Sequence, residues 1–172
     1  VIIGGSLIEQ TEEGFYNTCY IFNNGVEIGK YRKVNLDGEE IKFGLLAGKE
    51  YKVFQIEGVK IAVLLSNDVL SPGSVRGLEE KNPDIVFLPF VSPDSPENHQ
   101  CDPKYTGAKR VFLKAIKKNG WYVIKVGGAG GLLGKERRGK SRVFSQEGIL
   151  ERAKDERESE IMSIVVDMGR RH

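Results

Sequence analysis

Cysteine and histidine are scarce in this sequence: each occurs only twice among 172 residues. With only Cys19 and Cys101, the sequence excludes a framework of several disulfides and a zinc site built from several cysteines. His99 and His172 add too few ligands for a transition-metal site. The sequence therefore predicts neither a metal nor another cofactor.

An excess of charge of one sign is also missing. The 26 basic side chains nearly balance the 24 acidic ones, and the formal charge is +2, so no overall field attracts nucleic acid or an anionic membrane. The longest apolar run, "IAVLL", is far too short to span a bilayer. The first residues lack the charged and apolar regions of a signal peptide. These absences predict a soluble, cytoplasmic protein with no nucleic-acid or membrane partner.

The chain has the length of one domain but starts abruptly. Its 172 residues, 40% of them hydrophobic, fit a single domain over residues 1–172 with a core of its own. The opening "VIIGGSLIEQ" has the pattern of a strand interior, with no element before it. We therefore expect an upstream segment to be missing, through a truncated gene, an alternative start codon or trimming.

Apolar stretches of strand length alternate with turn signals in the first half. "VIIGGSLIE", "YNTCYIF" and "VEIGKYRK" predict a β-meander, with a two-residue hairpin turn at Asn24-Gly25. A polar loop is expected over residues 37–48. "YKVFQIEG" and "VKIAVLL" then predict a second hairpin, which turns at Glu57-Gly58.

Helical signals enter in the second half. Ser71 and Pro72 predict the N-cap and first turn of a helix that stops at Asn82-Pro83. The buried strand "DIVFLPF" and a proline-rich loop over residues 92–104 follow. The next helix, "YTGAKRVFLKAIKKNG", is expected to bury Val111, Phe112, Ala115 and Ile116. "WYVIKV", the hairpin "SRVFSQEGILERA" and "IMSIVVDM" complete the predicted strands.

Ser66 raises a functional question because it follows the buried strand "VKIAVLL" directly. The ends of buried strands in α/β layers often display catalytic nucleophiles, since the sheet fixes the backbone while the loop beyond stays open to substrate. Ser66 is therefore a nucleophile, a relic of one, or the first residue of a turn.

Several segments in order resemble the carbon-nitrogen hydrolase family, the nitrilases and aliphatic amidases. They are "YNTCYIFNNGVEIGKYRKVNL", "GVKIAVLLSND", "PDIVFLP" and "GKSRVFSQEGIL". The resemblance implies an α/β fold, a four-layer α-β-β-α sandwich, here without its first strand and helix. It also implies hydrolysis of a small-molecule amide or nitrile without a metal, and a homodimer or larger homo-oligomer.

The resemblance assigns roles to three positions. The lysine that stabilises the tetrahedral intermediate falls on Lys33 in "YRKVNL". A second glutamate, which helps to orient the nucleophile's water or amine, falls on Glu39 or Glu40. Glu39 is preferred, because the family's usual phenylalanine four residues later is then Phe43. The local sequence alone also fits an exposed lysine and an exposed loop acid.

The resemblance fails at the nucleophile. Ser66-Asn67-Asp68 stands where the family has Cys-x-Asp, and a hydroxyl ionises far less readily than a thiol. The family's general-base glutamate would lie upstream of Val1, and Gly73 and Lys118 replace two acidic residues. We therefore expect a degenerate enzyme with little or no turnover, or a non-catalytic binding or subunit protein. Ser66 itself fits natural divergence or an engineered replacement of cysteine.

Three rival motifs carry less weight. "GGAGGLLGKE" lacks the glycine and Ser/Thr spacing of a phosphate-binding P-loop. "KERRGKSR" is basic but has no interleaved aromatics, so a solvated loop is favoured over a phosphate-backbone contact. His99 lies two residues from Cys101, but no orienting acid is indicated, and Cys19 has the pattern of a core thiol.

Overall fold

A computed structural model describes residues 1–90, 103–132 and 135–169 of the chain. The strands form two main sheets, which we call the small sheet and the large sheet. The small sheet contains β1 (Ile2–Ile3), β2 (Leu7–Thr11), β3 (Gly14–Asn23), β4 (Val26–Arg32) and β5 (Leu45–Leu46). All of its strands pair with β3, which is therefore its centre.

The large sheet has six strands in the order β13-β12-β9-β8-β7-β6. Its strands are β6 (Val53–Ile56), β7 (Val59–Val63), β8 (Ile85–Phe90), β9 (Tyr122–Gly127), β12 (Arg142–Ser145) and β13 (Gly148–Arg152). β7, β8 and β9 run parallel, so their carboxyl ends meet at one edge. A separate hairpin is formed by β10 (Gly130–Leu132) and β11 (Lys135–Arg137).

Both predicted hairpin turns are confirmed, and their backbone explains them. Asn24 and Gly25 have φ of 48° and 79°, and Glu57 and Gly58 have φ of 51° and 85°. Two successive residues with positive φ twist a two-residue turn in the sense that matches the flanking strands. The first hairpin brings the "YRK" segment back along β3, next to "YNT".

The helices are α1 (Gly38–Lys42), a 3₁₀ helix (Ser66–Leu70), α2 (Pro72–Lys81) and α3 (Pro103–Asn119). Ser71 caps α2 by accepting a hydrogen bond from the Gly73 amide, and Asn82 ends the helix in the left-handed conformation. Pro72 in the first turn needs no amide partner. The predicted start and end of this helix are therefore confirmed.

The two sheets and the helices form layers around one core. Phe54 of the large sheet lies so close to Gly29 of β4 that a Cβ there would meet its ring at 2.5 Å. Side chains alternate between the two faces of a strand, so Val53, next to Phe54, belongs to the opposite face. Tyr51, two residues before Val53, packs closely on Gly77 of α2. The small sheet and α2 therefore cover opposite faces of the large sheet, as a layered sandwich requires.

Four local predictions differ from the structure. Residues 37–48 contain α1 and β5 instead of only a polar loop, and the opening strand divides into β1 and β2 where Gly5 has φ of 74°. Val111 is 47% exposed, so only the rest of the expected α3 stripe is buried. "IMSIVVDM" is not a strand, and its Val165 is 96% exposed. Apolar periodicity alone does not supply the backbone partner that a strand needs.

A proline-rich loop was predicted over residues 92–104. Residues 92–102 of this segment lie outside the described residues, and α3 begins at Pro103. Among the helices that the structure does describe, none combines the length and the apolar character needed to cross a membrane.

Candidate active site

Ser66 lies in a sharp turn at the carboxyl end of a parallel strand. After β7, the Leu64 amide still donates to the Phe87 carbonyl of β8 at 3.0 Å, and the chain then turns at Ser66 with φ of 42°. A positive φ is uncommon for a residue with a Cβ, and such strain is often found where a side chain must be displayed. Ser66 is half-buried, between buried Leu65 and buried Asp68.

Asp68 holds this turn closed. Its carboxylate is completely buried and accepts the Leu65 amide at 2.9 Å. It also accepts the Tyr31 hydroxyl at 2.8 Å, the Asn35 amide at 2.8 Å and the Asn35 side-chain Nδ2 at 3.0 Å. Four donors on one carboxylate compensate for the removal of its charge from water.

The same contacts attach the Ser66 turn to the segment that carries Lys33. Tyr31 and Asn35 are the residues two before and two after Lys33, and both bind Asp68. Burial, followed by the Asp68 charge, raises the pKa of Tyr31 far above its usual range, so its hydroxyl remains a donor. Asn35 Nδ2 also donates to the Tyr51 hydroxyl at 2.7 Å. Asp68 is thus the bridge between two of the predicted site positions.

Lys33 is a buried cation with carboxylate partners. Its side chain is only 1% exposed, and its Nζ lies 2.5 Å from Glu40 Oε2 and 3.5 Å from Asp37 Oδ2. Asn17 Nδ2 donates to the other Glu40 oxygen at 2.6 Å, and the Asn17 carbonyl accepts the Lys33 amide at 2.8 Å. A buried ammonium requires such pairing, so the solvated lysine that the local sequence also allowed is not what the structure shows.

Glu40, and not the preferred Glu39, meets Lys33. Asp37 is the N-cap of α1 and accepts the amides of both glutamates, and Glu40 folds back to accept the Asp37 amide at 2.8 Å. This reciprocal capping box turns the Glu40 carboxylate toward Lys33, while Glu39 is exposed. The sequence contains the pattern of this capping box, an aspartate at position 37 followed three residues later by a glutamate.

The other positions weighed from the sequence have structural roles. Cys19 is buried, and burial raises its pKa to about 11, as expected for a core thiol. Lys118 and Asn119 of α3 both reach Glu79 of α2, at 3.0 and 3.1 Å, and so fasten the two helices together. The His99–Cys101 pair lies outside the described residues.

Two segments are thus held together: a lysine–glutamate pair after one hairpin, and a strained turn after a buried parallel strand. The family model for carbon-nitrogen hydrolase matches residues 1–171. The chain belongs to the carbon-nitrogen hydrolase family. The family resemblance identified from the sequence is therefore confirmed.

Curated proteins of similar sequence include a probable hydrolase and an amidase. The chain is 34% identical over 94 residues to the probable hydrolase YhcX of Bacillus subtilis, a match that covers 54% of this chain and 18% of YhcX. It is 27% identical over 139 residues to N-carbamoylputrescine amidase of Solanum tuberosum, covering 73% of this chain and 46% of that enzyme. The chain thus spans less than half the length of either relative.

A solved structure confirms the fold. The glutamine-dependent NAD+ synthetase of Acinetobacter baumannii superimposes with a TM-score of 0.74 and 26% identity, covering 90% of this chain and 29% of that one. The α/β class and the sandwich architecture predicted from the sequence are therefore confirmed.

Proposed function

We propose that this carbon-nitrogen hydrolase-type chain binds a small amide or nitrile between Lys33 and the Ser66 turn, with little or no hydrolysis. The observation that carries the proposal is the Asp68 bridge, which holds the Ser66 turn to the segment around Lys33. A serine in the family's nucleophile position keeps the geometry of a substrate site but supplies a much weaker nucleophile.

Lys33 and Glu40 have the chemistry to polarise a carbonyl. An ammonium in a buried site stabilises a developing oxyanion more strongly than an ammonium in water, because little solvent screens its charge. Glu40 holds this ammonium in place through an ion pair at 2.5 Å. The hydroxyl of Ser66 is the limiting group, since it stays protonated unless a strong base lies against it.

The substrate class follows from relatives that are amidases. N-carbamoylputrescine amidase of Solanum tuberosum is named for a small N-carbamoyl amine. We therefore propose short amides, nitriles and N-carbamoyl amines as the compounds to test. A cytoplasmic location stays a prediction.

The first prediction is that the chain releases no ammonia above the buffer rate from a panel of these compounds. The expected result reflects the weak nucleophile at position 66. Continuous ammonia detection, with Ser66→Ala as the matched control, measures it. Release that exceeds the buffer rate and disappears in Ser66→Ala would show a working serine enzyme.

A binding measurement distinguishes the proposed function from the second candidate function. In the second, the chain is a subunit protein that keeps only the scaffold and has no substrate pocket. Saturation-transfer NMR with the same compounds is expected to show binding that Lys33→Met abolishes and Lys52→Met leaves unchanged. Lys52 is a suitable control because its side chain is 43% exposed on the protein surface. Absence of binding for every compound would favour the non-catalytic subunit protein.

The second prediction is that the chain forms a homodimer or a larger oligomer. Leu7, Val26 and Ile28 of the small sheet are 47%, 64% and 42% exposed, and exposed apolar surface of this kind favours association with a second copy. Sedimentation equilibrium at micromolar concentration, at two ionic strengths, measures it. A species at the 19.2 kDa chain mass at all concentrations would contradict the prediction.

A further inference from the structure

A pair of cations lies side by side in the large sheet. Lys125 of β9 is directly opposite Arg142 of β12 in the antiparallel register. Opposed residues on neighbouring strands have their Cβ atoms about 5 Å apart, and like charges in such pairs destabilise a sheet. The pair is therefore unfavourable for folding unless an anion offsets it.

Lys125 is not a freely solvated side chain. Its Nζ lies 4.2 Å from the centre of the buried Phe90 ring, and its strand partner on the other side is the buried Leu88. Burial first, and then the charges of Arg142, Lys109 and Lys140, lower the pKa of Lys125 to about 8. Four cations from three segments thus act on one small region.

The carboxylate of Glu156 partly offsets these positive charges. Glu156 raises the pKa of Lys125 and lies 3.5 Å from the Arg142 guanidinium. Among the side chains that act most strongly on Lys125, three are positive and one is negative, so positive charge is in excess there. A free anion is a natural complement to such an excess.

The backbone fixes the cluster in place. Gly127, at the end of β9, approaches Gly139 so closely that a Cβ on Gly127 would lie 1.5 Å from the Gly139 carbonyl oxygen. The Gly127 amide also donates to Ser141 Oγ at 3.0 Å, and the Gly139 amide donates to the Glu156 carbonyl at 2.7 Å. These contacts hold the basic segment that contains Lys140 against the carboxyl end of β9.

We propose that Lys125, Arg142 and Lys140 form a binding site for a small anion that carries a carboxylate or phosphate group. The site lies toward the carboxyl ends of the parallel strands β8 and β9, where ligands commonly bind in α/β sheets. Arg142 is suited to such groups because its guanidinium binds two oxygens at once. The proposal does not depend on hydrolysis at Ser66.

Binding is expected to weaken as the pH rises. Lys125 is mostly protonated at pH 7 and loses its charge above about pH 8, whereas a bound anion favours the protonated form. Among the charged groups that act on Lys125, Arg142, Lys109 and Lys140 lower its pKa and Glu156 raises it. The affinity for a dicarboxylate, whose own charge is constant in this range, should therefore fall between pH 7 and pH 9.

Thermal unfolding tests the proposal, with inorganic phosphate and glutarate as probes and sodium chloride at matched ionic strength as the reference. At ten times its dissociation constant, a bound anion is expected to raise the Tm by about 3 to 5 °C. Lys125→Met should raise the Tm without anion, because it removes an opposed charge, and should lose the response to anion. Lys52→Met, the exposed control, should respond like the parent chain.

Circular dichroism checks whether Lys125→Met still folds. If its folding is altered, the response of a second variant, Arg142→Gln, decides the test. A response to phosphate alone identifies a phosphate ligand, a response to glutarate alone identifies a carboxylate ligand, and either supports the site. A rise equal to that in chloride, or one retained in both Lys125→Met and Arg142→Gln, overturns the proposal.

Discussion

Replacing Asp68 by alanine is expected to lower the free energy of unfolding by about 3 to 5 kcal/mol. The Asp68 carboxylate is completely buried and accepts four hydrogen bonds. Alanine would leave the buried Tyr31 hydroxyl and the buried Leu65 amide without their acceptor, and each such group costs about 1 to 3 kcal/mol. The Ser66 turn, with its positive φ, would also lose the contact that holds it.

Urea unfolding followed by circular dichroism measures this effect. Asp155→Ala is a matched control, because Asp155 also accepts a backbone amide, that of Arg157, but is exposed. Asp68→Asn keeps the shape and one acceptor oxygen, so its loss should fall between the two. Equal losses for Asp68→Ala and Asp155→Ala would show that the bridge does not stabilise the fold.

Ser66→Cys is expected to create a thiol that reacts with iodoacetamide at least about 10²-fold faster than Cys19. A thiol of ordinary pKa, about 8.5, is ionised to several per cent near pH 7.5, and only the thiolate reacts. Burial raises the pKa of Cys19 to about 11, which suppresses its thiolate, and also blocks access to it. Position 66 is half-buried, so a side chain there is less enclosed than that of buried Cys19.

Peptide mapping by mass spectrometry after a short iodoacetamide pulse measures the two rates in a Cys101→Ser background. Ser66→Ala in the same background gives the rate of Cys19 without the new thiol. Labelling at position 66 no faster than at Cys19 would mean that the site is closed.

Local patterns predicted the elements whose geometry depends on neighbouring residues. The turn at Asn24-Gly25, the cap at Ser71 and the stop at Asn82 each follow from backbone preferences of the residues themselves. The order of motifs along the chain predicted Ser66 and Lys33 as site positions. The sequence pattern did not predict the small helix α1. None of its five residues is buried, so it has no apolar periodicity from which a helix could be predicted.

The sequence by itself determined the family, the hairpins and α2, because each depends on residue identity and short-range spacing. Only the tertiary structure decided that Glu40 and not Glu39 meets Lys33, since the capping box on Asp37 sets where each carboxylate points. It also decided that Asp68 connects Ser66 to the Lys33 segment, and that Lys125 and Arg142 are opposed. Those contacts join residues up to 37 positions apart, and chain folding rather than local preference brings such residues together.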